Sequence, residues 1–359
     1  MCRVALIFGT RPEIIKVAPV YLKAKEMGID VTFVCTGQHR EMVDMMKSVF
    51  NVDADYDMNI MTQNQTLNDV ASRVIAEFQK YASNKNFDWV LVQGDTTTAM
   101  ASAIAAFNMG IKVGHIEAGL RSGNLYDPFP EEMNRRVIDQ LSELMFAPTQ
   151  RARQTLLNEG FEDERIIVTG NTVVDAQMYV LEHFDLSGIR KRIVENDNYF
   201  LVTLHRRENI GERMHNVLRA MRKFSQETGL EIVFPVHKNP RVRQIVAEEL
   251  GNFKLARLIE PVDYVTSTAL IQGARFVATD SGGIQEEAPT FKKLVVVCRE
   301  TTERPEVIDS RFGILAGTSE DGVYDALKMT LEMVAPDLPN PFGDGNASQR
   351  ILSAIVGGN

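Results

Sequence analysis

The sequence is poor in cysteine, since only Cys2, Cys35 and Cys298 occur in 359 residues and none lies in a C-x-x-C pair. This usage argues against a disulfide framework and predicts reduced thiols in a cytoplasmic protein. No His/Cys/Asp spacing is typical of a metal site, so we expect no metal ion. The apolar runs stay short of the roughly 18–20 residues that span a membrane. The first run is also too short for a signal sequence, and no small-residue cleavage site follows it.

Positive charge is not in excess either, since the formal net charge is −9. Non-specific nucleic-acid binding needs a basic field, so this class of function is disfavoured, although a local basic cleft for a small anion stays compatible. The chain contains neither a Walker A motif nor a G-x-G-x-x-G fingerprint. Their absence weakens nucleoside-triphosphate hydrolysis and NAD-dependent chemistry as functions, and we expect no cofactor.

What the sequence does contain is material for two domains, because it has 359 residues of which 44% are hydrophobic. Short runs rich in Val, Ile and Leu alternate with helix-like stretches, as is typical of strands buried on both faces of a parallel sheet. The first series of predicted strands is Arg3–Phe8, Val31–Cys35, Trp89–Gln93, Lys112–Ile116, Leu144–Ala147 and Ile166–Thr169. The second series is Tyr199–Thr203, Glu231–Val236, Ala256–Ile259, Phe276–Thr279 and Leu294–Val297.

The strand–helix rhythm predicts an α/β fold with two doubly wound, Rossmann-like parallel sheets. We place the boundary near Gly170–Asn171, which gives an N-terminal domain of residues 1–170 and a C-terminal domain of residues 171–345. A last helical run within residues 346–359 is expected to pack back on the first domain. Because such sheets bind ligands outside the carboxyl ends of their strands, the residues that follow the apolar runs are the candidates for a site.

Two polar clusters follow strands of the first series. In FGTRPEIIK, Arg11 and Lys16 lie at or near a helix N-terminus, where the helix dipole disfavours cations unless an anion is bound. Two solvated surface charges are the alternative. In LVQGDTTT, Asp95 follows a buried strand and opens a helix, so it is either an N-cap or a carboxylate that points into a cleft.

Two further carboxylates come from GHIEAGLRSGNLYDPFPEEMNRR. Glu117 directly follows the next strand, and Glu131 opens a helix after a proline-bracketed loop. Successive strands would make Asp95 and Glu117 neighbours at one edge of the sheet. Three convergent carboxylates would raise one another's pKa and prepare one as an acid and another as a base. The alternative is a set of N-caps and ion pairs with Arg121, Arg135 and Arg136.

Basic and histidine residues follow the first strand of the second series. TLHRRENIG places His205, Arg206 and Arg207 together, which suits phosphate binding, and His205 could also donate a proton. A solvated basic loop is the alternative. His237, in FPVHKNP, also follows a strand and is a further candidate for the cleft.

The stretch VATDSGGIQEEAP combines a glycine turn with two adjacent glutamates. The turn Asp280–Gly283 follows a buried strand, and a helix is predicted to start near Ile284. Glycines permit close approach of the backbone, and free N–H groups at a helix N-terminus bind phosphate. Neighbouring helical residues point about 100° apart, so Glu286 and Glu287 cannot both face one substrate atom. A plain strand-to-helix turn with a solvated acidic first turn is the alternative.

Taken together, the motifs carry a family resemblance. FGTRPEIIK, GQHREM, QGDTTT, GHIEAGLRSG, PFPEEMNRR, VTGNTVVDA, HRREN, TDSGGIQEEAP and TTERPE occur in this order across nearly the whole chain. In this set the sequence resembles the non-hydrolysing UDP-N-acetylglucosamine 2-epimerases. The resemblance implies a homodimer with the two-domain architecture of glycosyltransferase-B enzymes and an active site in the interdomain cleft. It also implies formation of UDP-N-acetylmannosamine by anti elimination of UDP, through 2-acetamidoglucal, and re-addition, in the supply of surface-polysaccharide precursors.

The resemblance also implies roles for individual residues. The catalytic positions match Asp95, Glu117, Glu131 and His205. The substrate-binding positions match Arg11, Lys16, Ser281, Gly282, Gly283, Glu287 and Arg304, with the glycine turn as the diphosphate cradle and Glu287 on the ribose. Bacterial members bind a second UDP-N-acetylglucosamine as an allosteric activator, at positions that match Gln38, His39, Gln65, Arg207 and His237. Asn64 stands where some members carry arginine, and Ser267 where many carry an aromatic residue close to uracil.

Three other functions remain compatible with the sequence. A retaining glycosyltransferase of the same fold would share the glycine turn but would not need the cluster of Asp95, Glu117 and Glu131. A related epimerase would act on a different UDP-linked sugar, such as a 2,3-diacetamido uronate. A non-enzymatic nucleotide-sugar sensor would bind its ligand without turnover.

Overall fold

The computed structural model describes residues 2–37, 45–62 and 64–357 of the chain. The chain divides into two compact units. The first unit combines Met1–Tyr179 with Phe342–Asn359, and the second is Val180–Pro341.

The strands of the first unit are β1 (Arg3–Phe8), β2 (Asp30–Cys35), β3 (Tyr56–Asp57), β4 (Trp89–Gln93), β5 (Lys112–Ile116), β6 (Leu144–Ala147) and β7 (Ile166–Val168). Among the described residues they form one parallel sheet in the order β3-β2-β1-β4-β5-β6-β7. The order reverses between β1 and β4, at the kind of switch point where open α/β sheets bind ligands. The sequence predicted each of these strands except β3, which has two partly or fully exposed residues and no apolar run.

The helices of the first unit start where local chemistry favours it. They are α1 (Arg11–Glu26), α2 (Leu67–Ala82), α3 (Thr97–Asn108), α4 (Glu131–Leu141), α5 (Gln150–Asn158) and α6 (Thr172–His183), with a π-helical turn at Met46–Phe50 and a 3-10 turn at Asp163–Arg165. Pro12 lies in the first turn of α1, where its missing N–H is not needed. Thr66 and Asp69 form a reciprocal capping box at α2. Thr96 and Thr149 are the N-caps of α3 and α5, and their hydroxyls each accept an N–H group of the first helical turn.

The second unit contains β8 (Tyr199–Thr203), β9 (Glu231–Pro235), β10 (Ala256–Ile259), β11 (Val277–Thr279), β12 (Val295–Val297) and β13 (Gly313–Leu315). In the part of the chain that is described, they form a parallel sheet in the order β10-β9-β8-β11-β12-β13. The sequence missed only β13, a three-residue strand that contains a glycine and an exposed leucine. The two parallel sheets confirm the predicted α/β class with two Rossmann-like units.

The helices of the second unit include long helices, which the sequence patterns indicate, and short helices in the connections between strands. They are α7 (Leu186–Lys191), α8 (Glu212–Thr228), α9 (Pro240–Leu250), α10 (Tyr264–Gly273), α11 (Gly282–Glu287), α12 (Pro305–Asp309) and α13 (Glu320–Glu332), with 3-10 turns at Arg207–Asn209 and Ala288–Phe291. Helix α11 starts two residues before the predicted Ile284, because both glycines of the turn already adopt helical geometry.

The C-terminal helix α14 (Ala347–Gly357) belongs to the first unit and packs against α1. Its start is capped by Asp175 of α6, which accepts the N–H groups of Ala347 at 3.2 Å and Ser348 at 2.7 Å. The two units divide inside α6, between Tyr179 and Val180, whereas the sequence placed the boundary near Gly170–Asn171. None of the described helices is long and apolar enough to cross a membrane.

Candidate active site

The loop after β4 presents Asp95, which is held by helix α4. Arg135 donates to Oδ2 of Asp95 from Nε at 3.0 Å and from Nη2 at 2.6 Å, and Asn134 donates to the Asp95 carbonyl at 2.8 Å. The N-cap of α3 is Thr96, whose hydroxyl accepts the N–H of Ala99. The N-cap interpretation of Asp95 is therefore wrong, whereas the ion pair with Arg135 is present. The Asp95 side chain stays 26% exposed, so it can still be reached by a ligand.

Glu117 follows β5 in an uncommon backbone conformation, with φ at 72°. A non-glycine residue in the left-handed region costs on the order of 1–3 kcal/mol and needs its surroundings to hold it. The Glu117 carboxylate forms an ion pair with Lys16 of α1 and accepts a hydrogen bond from Nδ2 of Asn171 at 3.0 Å. These contacts fix the side chain at the carboxyl end of the strand. Lys16, interpreted from the sequence as an anion-binding residue, lies here against a carboxylate.

The ends of β4 and β5 are neighbours, which places Asp95 and Glu117 at the same edge of the sheet. Gln93 pairs with Ile116 in the register of the two strands. Beyond that pair, the N–H of Gly94 donates to the carbonyl of Ile116 at 3.0 Å. The two carboxylates therefore leave the sheet side by side.

Glu131 reaches the same region through α4, of which it is the first residue. Residues four apart share one face of a helix, so Glu131 lies on the face from which Arg135 contacts Asp95. Oε2 of Glu131 is buried and has no hydrogen-bond partner among the described residues. Arg135 lies against Asp95 and Lys16 against Glu117, so cations accompany two of the three carboxylates.

In the second unit, one buried aspartate organises the loop that carries His205. Asp280 is 0% exposed and directly follows β11. It accepts the backbone N–H of His205 at 3.0 Å, that of Arg206 at 3.0 Å and Nδ2 of Asn209 at 3.1 Å. Sequence reasoning treated Asp280 only as part of a turn. The signal that could have found it is the pairing of neighbouring strands, since Thr279 pairs with Thr203 and the residues after each must therefore meet.

The imidazole of His205 lies between this carboxylate and a second histidine. Nδ1 of His205 is 3.5 Å from Oδ1 of Asp280, and its ring stacks on that of His237 with centroids 5.8 Å apart. Burial lowers the pKa of His205, and Arg206 and His237 lower it further, although Asp280 and Glu208 act in the opposite direction. The ring is therefore neutral at pH 7 and can both donate and accept a proton.

The glycine turn begins α11 between two guanidinium groups. A Cβ atom on Gly282 would lie 3.5 Å from Cζ of Arg304 and 3.7 Å from Nη2 of Arg206. Ser281 is the N-cap and makes no side-chain capping hydrogen bond. Positive charge and the first N–H groups of the turn thus face the same space, which suits an anion.

The adjacent glutamates at the end of α11 have separate surroundings. Glu286 is 1% exposed, and its Oε1 accepts Nε of Arg304 at 2.7 Å. Oε1 of Glu287 instead lies 3.6 Å from the Cβ position of Gly283. Burial and the Glu287 carboxylate raise the pKa of Tyr264 well above its usual value. The structure thus puts Glu286 behind Arg304, and Glu287 beside the glycine turn.

The residues assigned to an activator site are described only in part. Gln38 and His39 lie outside the described residues. In the first unit, Gln65 donates to the Ile60 carbonyl at 2.8 Å. In the second unit, Arg207 lines a pocket of about 490 Å³ together with Ile210, Asn239, Pro240 and Arg241. His237 adjoins this pocket because its Nδ1 accepts the N–H of Asn239 at 3.2 Å.

Two further observations complete the placement of the predicted residues. Arg11 is the exposed first residue of α1, five positions before Lys16. Across residues 2–37, 45–62 and 64–357, no group of three or more His, Cys, Asp or Glu side chains could hold a metal ion.

Comparison with known proteins connects this geometry to a family. Residues 22–356 match the family described as UDP-N-acetylglucosamine 2-epimerase. A UDP-N-acetylglucosamine 2-epimerase of Bacillus subtilis is 41% identical over 99% of this chain and 95% of its own length.

Solved structures of UDP-N-acetylglucosamine 2-epimerases are also similar to this chain. The crystal structure of the enzyme of that name from Neisseria meningitidis, bound to UDP-GlcNAc, is similar with a TM-score of 0.90 and 39% identity, and the match covers 99% of this chain and 100% of the other. The Methanocaldococcus jannaschii enzyme, in complex with UDP-GlcNAc and UDP, has a TM-score of 0.85 and 33% identity over 99% of both chains.

Proposed function

Since this chain belongs to the UDP-N-acetylglucosamine 2-epimerase family, we propose that it interconverts UDP-N-acetylglucosamine and UDP-N-acetylmannosamine by elimination and re-addition of UDP. Membership of the family is shown by the match over residues 22–356 and by full-length relatives near 40% identity. The predicted family and the predicted enzyme class, a 2-epimerase of a UDP-linked sugar, are thereby confirmed. The mechanism and the roles of individual residues are the proposal.

The proposed reaction starts with removal of the proton at C2 of the sugar by a carboxylate of the first unit. The electron pair of that C–H bond forms the C1–C2 double bond, and the C1–O bond breaks so that UDP leaves with its electrons. The intermediate is 2-acetamidoglucal. UDP then adds back to C1 while a proton arrives at C2 from the opposite face. No oxidation or reduction occurs in these steps, so the reaction requires no oxidant or reductant.

The observation that carries this proposal is the placement of Asp95 and Glu117 at adjoining strand ends, each beside a cation. Glu117 is held in a strained conformation at that place, and such strain is concentrated at functional sites. A retaining glycosyltransferase or a sugar sensor has no need of this cluster. The cluster therefore favours proton transfer over both alternatives.

We propose that the second unit binds UDP through the glycine turn. Gly282 lies between Arg206 and Arg304, and these charges with the first N–H groups of α11 would bind the diphosphate. Preorganised positive charge of this kind stabilises a departing dianion and is often the largest catalytic contribution. His205 would act beside the diphosphate, and Glu287 would accept hydrogen bonds from the ribose.

Regulation and assembly follow from the family resemblance. We propose that a second UDP-N-acetylglucosamine activates the enzyme through Gln38, His39, Gln65, Arg207 and His237, that the active form is a homodimer, and that the product feeds surface polysaccharides. The pocket beside Arg207 supports the first of these proposals, because it adjoins His237 and is lined by a second arginine, Arg241.

The reaction is tested by incubating the protein with UDP-N-acetylglucosamine in heavy water and following the sugar by NMR. We expect deuterium at C2 and a product with manno configuration that remains linked to UDP. Free N-acetylmannosamine plus UDP as the main product would indicate a hydrolysing enzyme instead. Tight UDP binding without any exchange would contradict epimerisation and favour a sensor. Exchange that is much faster on a 2,3-diacetamido uronate would identify that sugar as the substrate.

A further inference from the structure

A buried charged cluster lies behind the carboxylates of the first unit and takes no part in the proposed reaction. It consists of His115 on β5, Asp139 on α4 and Arg121, and the first two are 0% exposed. Nδ1 of His115 is 2.5 Å from Oδ1 of Asp139, and Nη2 of Arg121 is 2.7 Å from Oδ2 of the same carboxylate. Arg121 also pairs with Glu159, with Nη2 and Oε2 2.7 Å apart.

The other nitrogen of the His115 ring contacts the loop that carries Asp95. Nε2 lies 2.8 Å from the carbonyl oxygen of Gly94, the residue just before Asp95. A carbonyl oxygen only accepts hydrogen bonds, so Nε2 must carry a hydrogen atom to make this contact favourable.

The Asp139 carboxylate is the partner of Nδ1, the other ring nitrogen. Its second oxygen accepts a hydrogen bond from Nη2 of Arg121. Burial alone would raise the pKa of Asp139, but the adjacent His115 and Arg121 lower it overall. The ring therefore joins a carboxylate of α4 to the carbonyl of Gly94 in the Asp95 loop.

The loop that this ring contacts is held at each of its residues. The N–H of Gly94 donates to Ile116 at 3.0 Å, and Asn134 donates to the carbonyl of Asp95 at 2.8 Å. The Thr96 hydroxyl donates to Oε1 of Glu13 at 2.7 Å. The carbonyl of Gly94 is the remaining backbone acceptor of this turn, and His115 links it to Asp139, on the helix that also supplies Asn134 and Arg135.

We propose that His115 is a positioning residue, which links the Gly94 carbonyl to Asp139 on α4 and thereby sets the place of the Asp95 carboxylate. The effect on catalysis rests on the proposed epimerase function, whereas the position of the loop does not. The charged groups nearest the ring are Asp139, then Arg121 on the other oxygen of that carboxylate, with Glu159 behind Arg121. Loss of the imidazole would leave the buried Gly94 carbonyl without its side-chain partner, which is unfavourable.

The position of the loop is tested by hydrogen exchange of the full chain, read for the peptide that carries Gly94 and Asp95. We expect His115→Gln to speed the exchange of this peptide by about tenfold or more, because the loop loses its link to α4. Exchange as slow as in the unmodified chain would overturn the proposal. This result does not depend on turnover, so an unmodified chain that shows no C2 exchange would contradict the proposed function and leave this measurement to decide the positioning role.

The positioning role is tested by kinetics of the same variant. We expect His115→Gln to lower kcat by about 10–100-fold with KM changed by less than about twofold, because a displacement of about 1 Å in a reacting group has an effect of that size. His215→Gln is the matched control, since His215 also pairs with a carboxylate, that of Glu249 at 2.7 Å, but lies in the second unit. An unchanged kcat in His115→Gln, or an equal loss in the control, would overturn the role.

A second variant keeps the proposal testable if His115→Gln does not fold. Asp139→Asn retains an oxygen that can accept the Nδ1 hydrogen but removes the ion pair with Arg121 that holds this group. We expect kcat of this variant to fall by about tenfold with KM changed by less than about twofold. A kcat equal to that of the unmodified chain would contradict the inference.

Discussion

The two units arrange charge in opposite ways at the ends of their strands. In the first unit, the strand ends carry carboxylates that are paired with cations: Asp95 lies over the more buried Arg135, and Glu117 lies against Lys16. In the second unit, the strand ends carry cations and N–H groups, and more deeply buried carboxylates hold them. Glu286 pairs with Arg304, and Asp280 accepts hydrogen bonds from the His205 loop. One fold type therefore carries two complementary sites, one suited to moving protons and the other to binding an anion.

The comparison also shows how each site is kept in place. In the first unit, the fixed element is a side chain on a strained backbone, because Glu117 has φ at 72°. In the second unit, the fixed element is the backbone itself, because the buried Asp280 accepts two consecutive N–H groups. A conservative substitution should therefore impair chemistry in the first unit, and binding together with stability in the second.

The largest expected effect is on turnover in the first unit. Glu117→Gln keeps the shape and the Asn171 contact but cannot take up a proton, so kcat should fall by about 10²–10⁴-fold, the usual contribution of general acid–base catalysis. UDP affinity should stay within about twofold, since the diphosphate is assigned to the second unit. The measurements are C2 exchange by NMR and UDP binding by calorimetry. Glu26→Gln, in an exposed pair with Lys23, is the control. A loss of UDP affinity in proportion to turnover would show that Glu117 binds rather than reacts.

The next effect is on binding in the second unit. Asp280→Asn replaces a carboxylate that accepts four short contacts with an amide that has one acceptor oxygen. The part-buried N–H groups of His205 and Arg206 would be left with one acceptor oxygen between them, which should lower the free energy of unfolding by about 1–3 kcal/mol. UDP affinity should weaken by about tenfold as the loop shifts, which corresponds to about 1.4 kcal/mol.

A matched substitution separates this effect from a general loss of charge. Asp263→Asn also removes an aspartate of the second unit, but Asp263 is an exposed N-cap of α10, and asparagine caps helices about as well. Denaturation in urea and calorimetry with UDP should leave that variant close to the unmodified chain. Equal losses in both variants, or full UDP affinity in Asp280→Asn, would refute the role given to Asp280.

Much of the fold could be predicted because burial on both faces leaves a local signature. β4 is buried at every position and reads as an apolar run, so its limits were predicted correctly. β3 was missed because it has no apolar run, and β13 because it contains a glycine and an exposed leucine. β7 is equally short and also ends its sheet, but it was predicted from its continuous run of Ile and Val. Sequence patterns thus identify the central strands better than the peripheral ones.

The candidate site was predictable in the positions of its residues but not in their partners. Asp95 and Glu117 follow apolar runs, which places them at strand ends without further information. The contact of Lys16 with Glu117 joins residues 101 positions apart, and that of His205 with Asp280 joins residues 75 apart. Such pairs form only when strands assemble in a particular register, so a single sequence does not encode them locally. Arg135 was therefore only one of several possible partners of the acids, the pairing of Lys16 with Glu117 was not predicted, and Asp280 was missed as an anchor.

The smallest expected effect concerns the pH dependence of stability in the second unit. Burial lowers the pKa of His205, with Arg206 and His237 acting in the same direction. The folded state then binds fewer protons than the unfolded state near pH 6.5, so stability is present above this pH and is lost as the pH falls toward the lowered pKa. His205→Gln removes this titration, and its urea midpoint should fall less than that of the unmodified chain between about pH 7.5 and pH 5.5. His237→Gln removes only one of the causes and should give an intermediate slope, whereas equal slopes in all three proteins would exclude a lowered pKa at His205.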